Sequence, residues 1–146
     1  LLAGAGLLCG LQNPAPNLIR EKASSPRLMV YDTSLMTATY GRYRDFLLTD
    51  PERKGHLVES AVGAFLLAQS KKQNFEVHWW REGSNEVDFV LAQGESVTAI
   101  EVKSGRVKSL KGLTAFVNLV PHARTLVVGS SECPLEAFLH GDVPLL

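Results

Sequence analysis

The chain has 146 residues, 45% hydrophobic and 21% charged, with 12 glycines. That composition belongs to a globular protein with one core and excludes collagen-like, disordered and membrane-spanning classes. Fifteen basic residues balance fifteen acidic ones, so the whole molecule is no polycation and any grip on nucleic acid must come from a local patch.

Residues 1–45 read as a small N-terminal appendage. The opening LLAGAGLLCGL is apolar, but it lacks a basic leader and falls short of the ~20 residues that a membrane-spanning helix needs, so no membrane is expected. It begins with Leu and reads as the middle of an element, as in a fragment whose N-terminal partner has been cut away. Pro14, Pro16, Pro26 and the run KASSP break the segment, leaving short apolar stretches at Leu7–Leu11 and Leu28–Tyr31. Asp32 or Thr33 can cap a short helix through Leu35–Thr39. Cys9 and Cys133 lie far apart and form no C-x-x-C or His-containing cluster, which suggests neither zinc nor a disulfide framework and fits a reducing, cytoplasmic setting.

Residues 46–146 carry a clearer pattern. Asp50 precedes Pro51-Glu52, a helix start, and the helix is expected to run from Pro51 to about Ser70. Leu57, Ala61, Phe65 and Ala68 make one apolar stripe; Val58, Val62, Leu66 and Gln69 make the next. Lys71 and Lys72 suit the negative end of the dipole. Three strand-like runs follow, Phe75–Arg81, Glu86–Ala92 and Val97–Lys103, separated by EGSN and QGES. Leu110, Leu113, Val117 and Val120 recur at helical spacing until Pro121, Thr125–Val128 is a β-branched run, and Leu135–His140 is a last helix closed by Gly141. The predicted class is α/β, with a mixed sheet flanked by helices.

The chemistry concentrates in the hairpin between Glu86 and Lys103. With an unbulged turn centred on Gly94-Glu95, Asp88 falls directly opposite Glu101, and such pairs hold their β-carbons ~4.5–5.5 Å apart, where like charges repel. Alternation puts Lys103 on the face of Glu101. Two carboxylates beside a lysine are what a hard divalent cation takes, Mg2+ or Mn2+, with room left for water and a phosphate. Such an ion polarises a phosphodiester and acidifies its own water. Glu59 shares its helix side with Val62, Gly63 and Leu66, which implies a partly buried acid in need of a partner. From Glu82 to Glu101 there are five acids and no base, whereas Lys103, Arg106, Lys108 and Lys111 follow without an acid; a metal-binding surface would adjoin a phosphate-binding one.

Plainer readings apply to the same residues. An E-x-K on a strand is more often a solvated charge face, and Asp88 and Glu101 could pair with Arg81, Lys103 or Arg106 as ordinary ion pairs. His78 lacks a second histidine at ligand spacing and reads as a packed strand residue, as do Trp79 and Trp80. His56, His122 and His140 show no Ser or Cys partner for a triad. No G-x-x-x-x-G-K-[ST] is present, so no P-loop lies in this chain.

The element order α-β-β-β-α-β, an acid in the first helix, Asp88 in the second strand and Glu101-Val102-Lys103 in the third resemble the PD-(D/E)XK, or restriction-endonuclease-like, superfamily. More closely, YDTSL at 31–35, GHLVE at 55–59, WWREGSNEVDFVL at 79–91 and AIEVKSG at 99–105 resemble the C-terminal domain of unknown function that follows the ATPase core in a family of prokaryotic AAA-type ATPases. The resemblance implies that the appendage is the remnant of a winged-helix-like linker and that residues 46–146 form a nuclease-like domain. It implies a preceding ATPase domain on the natural chain. It also implies that Glu59, Asp88, Glu101 and Lys103 hold the catalytic positions, with Glu59, Asp88 and Glu101 as metal ligands and Arg106, Lys108 and Lys111 on DNA. Asp88 follows Val87 and not proline, a departure from the signature. Members of the superfamily also resemble non-cleaving recognition modules, so the second expectation is a protein- or nucleic-acid-binding module whose acids serve internal ion pairs.

Overall fold

The computed structural model describes residues 2–14, 25–41, 45, 49–105 and 109–146. The elements are β1 (Leu8–Leu11), β2 (Arg27–Val30), α1 (Ser34–Tyr40), α2 (Pro51–Gln73) and β3 (Glu76–Glu82). They continue with β4 (Asn85–Gln93), β5 (Ser96–Val102), α3 (Lys111–Leu119), β6 (Arg124–Val128) and α4 (Leu135–His140). The two apolar stretches of the appendage pair as an antiparallel ribbon, Leu8 opposite Val30 and Leu11 opposite Arg27.

Local chemistry accounts for the element ends. Asp50 accepts the amides of Glu52 and Arg53 at 3.0 and 3.2 Å, which satisfies two of the orphan donors at the start of α2. The helix runs past Ser70 to Gln73, because Lys71 and Lys72 complete the last turn and Asn74 adopts the left-handed conformation that ends it. Its buried residues are Val62, Gly63, Leu66 and Leu67. The face is therefore centred on the second expected stripe, and Ala68 is exposed. Gly63 explains the tilt: a β-carbon there would stand 3.0 Å from the Phe89 ring and 2.2 Å from Met29 Cε, so the helix lies close against both β4 and β2 at this point. Glu59 is one turn earlier and shares that proximity.

β3, β4, β5 and β6 form one sheet in that order; the first three make an antiparallel meander and β6 returns parallel to β5 through α3. The result is a mixed four-stranded sheet flanked by helices. Two apolar layers hold it. One joins α2, the ribbon residues Leu11 and Met29, and Phe138 of α4 to Phe89, Leu91 and Ile100. The other sets Leu113 and Phe116 of α3 against Trp80, Val87, Val90, Val97 and Ala99. No helix among the described residues is long and apolar enough to cross a membrane.

The expected β4–β5 register holds from Phe89–Ile100 to the turn at Gln93–Ser96, and there it stops. Asp88 lies one residue past the last β4 position in that ladder and is not paired with Glu101 across it, and on its other edge β4 is irregular at the same place. Between the pairs His78–Val90 and Trp80–Val87, β3 advances two residues and β4 three, so Asp88 and Phe89 together oppose Trp79. This is a β-bulge. Val87 and Val90, three positions apart, accordingly enter the same apolar layer, while Phe89 and Leu91 enter the other.

Candidate functional site

The bulge re-aims Asp88. Its Oδ2 accepts the backbone N–H of Val102 at 2.8 Å, a position that a ladder carbonyl would otherwise fill. Its Oδ1 lies 3.8 Å from Nη1 of Arg27. Asp88 thus touches β5 with one oxygen and faces the ribbon with the other.

Arg27, the first residue of β2, gathers three acids. Its Nη2 donates to Glu59 Oε1 in a very short contact, and its Nη1 donates to Glu86 Oε1 at 3.2 Å besides facing Asp88. The guanidinium also lies 5.9 Å from the centroid of the Trp79 ring. The ribbon is held in place by the segment that follows β1. The backbone N–H of Trp79 donates to Gln12 O at 3.2 Å, and the buried Asn13 amide donates to Arg81 O while accepting from Arg81 N. Neither Arg27 nor Glu86 was expected at the site. The available signal is the lone cation opening the otherwise apolar run RLMV, which has no counterion within its own strand.

Glu101 forms the other half. Lys103 Nζ donates to Glu101 Oε1 at 2.5 Å, as strand alternation predicts for two residues on one face. Burial is the main cause that lifts the carboxyl groups of both Glu59 and Glu101 above the ordinary glutamate range. Arg27 opposes the rise at Glu59 and Lys103 opposes it at Glu101, while the charge of Asp88 adds to both. The charge of Asp88 thus bears on a glutamate of each half. The side chains of Glu59, Asp88 and Glu101 are 19%, 17% and 15% exposed, so the cluster is largely withdrawn from water yet reachable.

Lys103 stands at the carboxyl end of the parallel pair β5–β6. Its backbone N–H donates to Val128 O at 2.8 Å. The next residue on β6's side, Gly129, adopts φ +92°, and a β-carbon there would meet Lys103 O at 1.9 Å. An open hollow of about 480 Å³ lies beside it, lined by Lys54, Lys103, Ser104 and Ser130 among others. Crevices outside the carboxyl ends of parallel strands are common ligand positions.

The four expected residues Glu59, Asp88, Glu101 and Lys103 are thus brought to one region. Lys111 is exposed at the start of α3, next to Gly112, which packs against the Glu86 backbone. Arg106 and Lys108 lie outside the described residues. Trp79 and Trp80 are buried in the two apolar layers, and His78 Nε2 lies 3.0 Å from Glu76.

The donor chemistry fits Mg2+, since clustered carboxylate oxygens are its preferred protein ligands. The arrangement of those oxygens fits less well. Among the described residues no three His, Cys, Asp or Glu side chains are grouped so as to hold a metal ion. Arg27 and Lys103 provide the positive charge instead.

A family model described as Domain of unknown function (DUF4143) matches residues 54–138, more than half of the chain. That span holds Glu59, Asp88, Glu101 and Lys103; Arg27 precedes it. No curated protein and no solved structure matches the chain.

Proposed function

The chain belongs to the family described as a domain of unknown function, DUF4143, and from that premise we propose that residues 46–146 are a restriction-endonuclease-like domain performing magnesium-dependent phosphodiester hydrolysis on DNA. The observation that supports this most is the meeting of Glu59 from a helix with Asp88, Glu101 and Lys103 from two strands, around a bulge that aims Asp88. In this reading Asp88 and Glu101 hold the ion, with Glu59 beside them. Bound there, the ion would supply Lewis-acid activation of the phosphodiester and of a water. Lys103, between Glu101 and the hollow that also holds Lys54, offsets charge developing on the phosphate. Lys111, and Arg106 and Lys108 from the segment before α3, contact flanking phosphates. The appendage 1–45 is the end of a winged-helix-like linker to an AAA-type ATPase domain, and the protein works in the cytoplasm.

One observation favours a second reading, a non-catalytic protein- or nucleic-acid-recognition module on the same scaffold: Glu59, Asp88 and Glu101 already have cationic partners within the chain. Calorimetric titration with Mn2+ or Mg2+ of the native chain and of Glu101→Ala, followed by plasmid nicking with the same pair, separates the two. The nuclease reading requires that Glu101→Ala lose the ion and that nicking fall by orders of magnitude. Heat of binding indifferent to Glu101, with no nicking by either protein, supports the module.

A further inference from the structure

We propose that the hollow at the carboxyl ends of β5 and β6 is a seat for one nucleotide, with its 5′-phosphate held by Lys54 and Ser130 and its sugar or base laid against Val58 and Leu135. The proposal rests on the phosphodiester reading, from which it takes a phosphate as the neighbour of Lys103, and it needs no bound cation. The hollow measures about 480 Å³, within the ~300–1,000 Å³ usual for small-molecule sites. A phosphate alone would leave most of it unfilled.

The lining divides by chemistry. Lys54 and Lys103 bring positive charge from α2 and from the end of β5. Lys103 is shared with Glu101, whereas among the described residues the Lys54 ammonium has no counterion. Ser130 sits in a turn closed by the Gly129 N–H on Cys133 O at 2.8 Å and the Cys133 N–H on Ser130 Oγ at 3.1 Å. Cys133 is buried and anchors that turn. Because its oxygen accepts there, the Ser130 hydroxyl keeps its own proton to donate. Val58 and Leu135 add apolar wall, and Glu136, in the first turn of α4, adds an acceptor. A nucleotide uses the whole set: an anionic end for the lysine and serine, a hydrocarbon and ring surface for the apolar wall, and hydroxyl or amino donors for Glu136. Inorganic phosphate meets Glu136 as a like charge and gains nothing from Val58 or Leu135.

The test is NMR titration of the native chain and Lys54→Gln, without divalent ions, using deoxyadenosine 5′-monophosphate and inorganic phosphate. Lys54 is exposed on α2, so the variant should fold, and circular dichroism checks that it does. The mononucleotide should shift the amides of Ser104, Gly129 and Ser130, bind more tightly than inorganic phosphate, and lose about tenfold in affinity in Lys54→Gln. A free mononucleotide and the end of a DNA strand present the same group. A 5′-phosphorylated oligonucleotide that binds more tightly than the mononucleotide assigns the seat to a strand end; the reverse order assigns it to a free nucleotide. Equal affinity for mononucleotide and inorganic phosphate, indifference to Lys54→Gln, or shifts confined to other residues overturns the proposal. Plasmid nicking by the native chain in Mg2+ with no nucleotide binding overturns the seat and leaves the nuclease reading standing. Nucleotide binding at these amides with no nicking does the opposite.

Discussion

Asp88 caps the end of the β4–β5 ladder: its Oδ2 takes the N–H of Val102 at 2.8 Å, two residues beyond Ile100 of the last backbone pair, Phe89–Ile100. A single carboxylate therefore has a structural oxygen and an oxygen directed at the ion-pair cluster. Asp88→Ala leaves the Val102 amide without this acceptor, and a loss of about 1–3 kcal/mol in urea denaturation is expected. Asp88→Asn keeps an acceptor of the same shape, so it should retain most of that stability while losing divalent-ion binding. Equal destabilisation by both substitutions would contradict the structural half of this assignment.

Gly129→Ala is expected to be among the most damaging single changes. The residue has φ +92°, and an added methyl would lie 1.9 Å from the Lys103 carbonyl, a backbone atom that cannot step aside freely. A loss of about 2 kcal/mol or more follows from strain together with overpacking. Because the displaced backbone belongs to Lys103, any nicking activity should fall further than stability alone accounts for. Thermal melting beside a nicking assay on the folded fraction checks both.

Asn13→Ala tests how the ribbon is held. Asn13 is 4% exposed, and its amide supplies one donor and one acceptor to the Arg81 backbone. Removing it should cost about 1–3 kcal/mol and increase amide hydrogen exchange at Leu8–Leu11 and Arg27–Val30. Unchanged exchange in the ribbon would show that the apolar contacts of Leu11 and Met29 suffice.

Much of this architecture can be read directly from residue pattern. Asp50-Pro51 marks the start of α2, alternation around GES marks the β4–β5 hairpin, and Gly141 marks the end of α4, because each is a local rule acting on neighbouring residues. The bulge at Asp88 carries no glycine or proline to announce it. It lies where β4 is packed on both faces, with Val87 and Val90 in one apolar layer and Phe89 and Leu91 in the other, which is a tertiary arrangement. The role of Arg27 is not legible in the sequence for a related reason: its partners lie 32 and 59 positions away, and such pairing depends on how the ribbon docks. The Lys103–Glu101 pair, two residues apart at the end of β5, follows from strand alternation carried one residue past the strand.

In metal-free buffer, the raised carboxyl groups of Glu59 and Glu101 make stability fall as pH rises. A group that titrates higher in the folded state contributes fully below its unfolded value, about pH 4.3 for glutamate, and that contribution is lost as pH climbs through the folded value. Asp32, held below the ordinary range by the Ser34 amide, acts in the opposite sense and at lower pH. Melting temperatures compared between the native chain and Glu101→Gln cancel the Asp32 effect. The native chain should lose more stability than the variant between about pH 4.3 and neutrality. Parallel curves would contradict the shift at Glu101.

The most direct measurement is a crystal structure of the native chain grown with excess Mn2+, using anomalous scattering to locate the ion. The nuclease reading requires a peak bounded by Asp88 and Glu101. Well-ordered carboxylates with no peak between them, and Arg27 and Lys103 still in place, would contradict it.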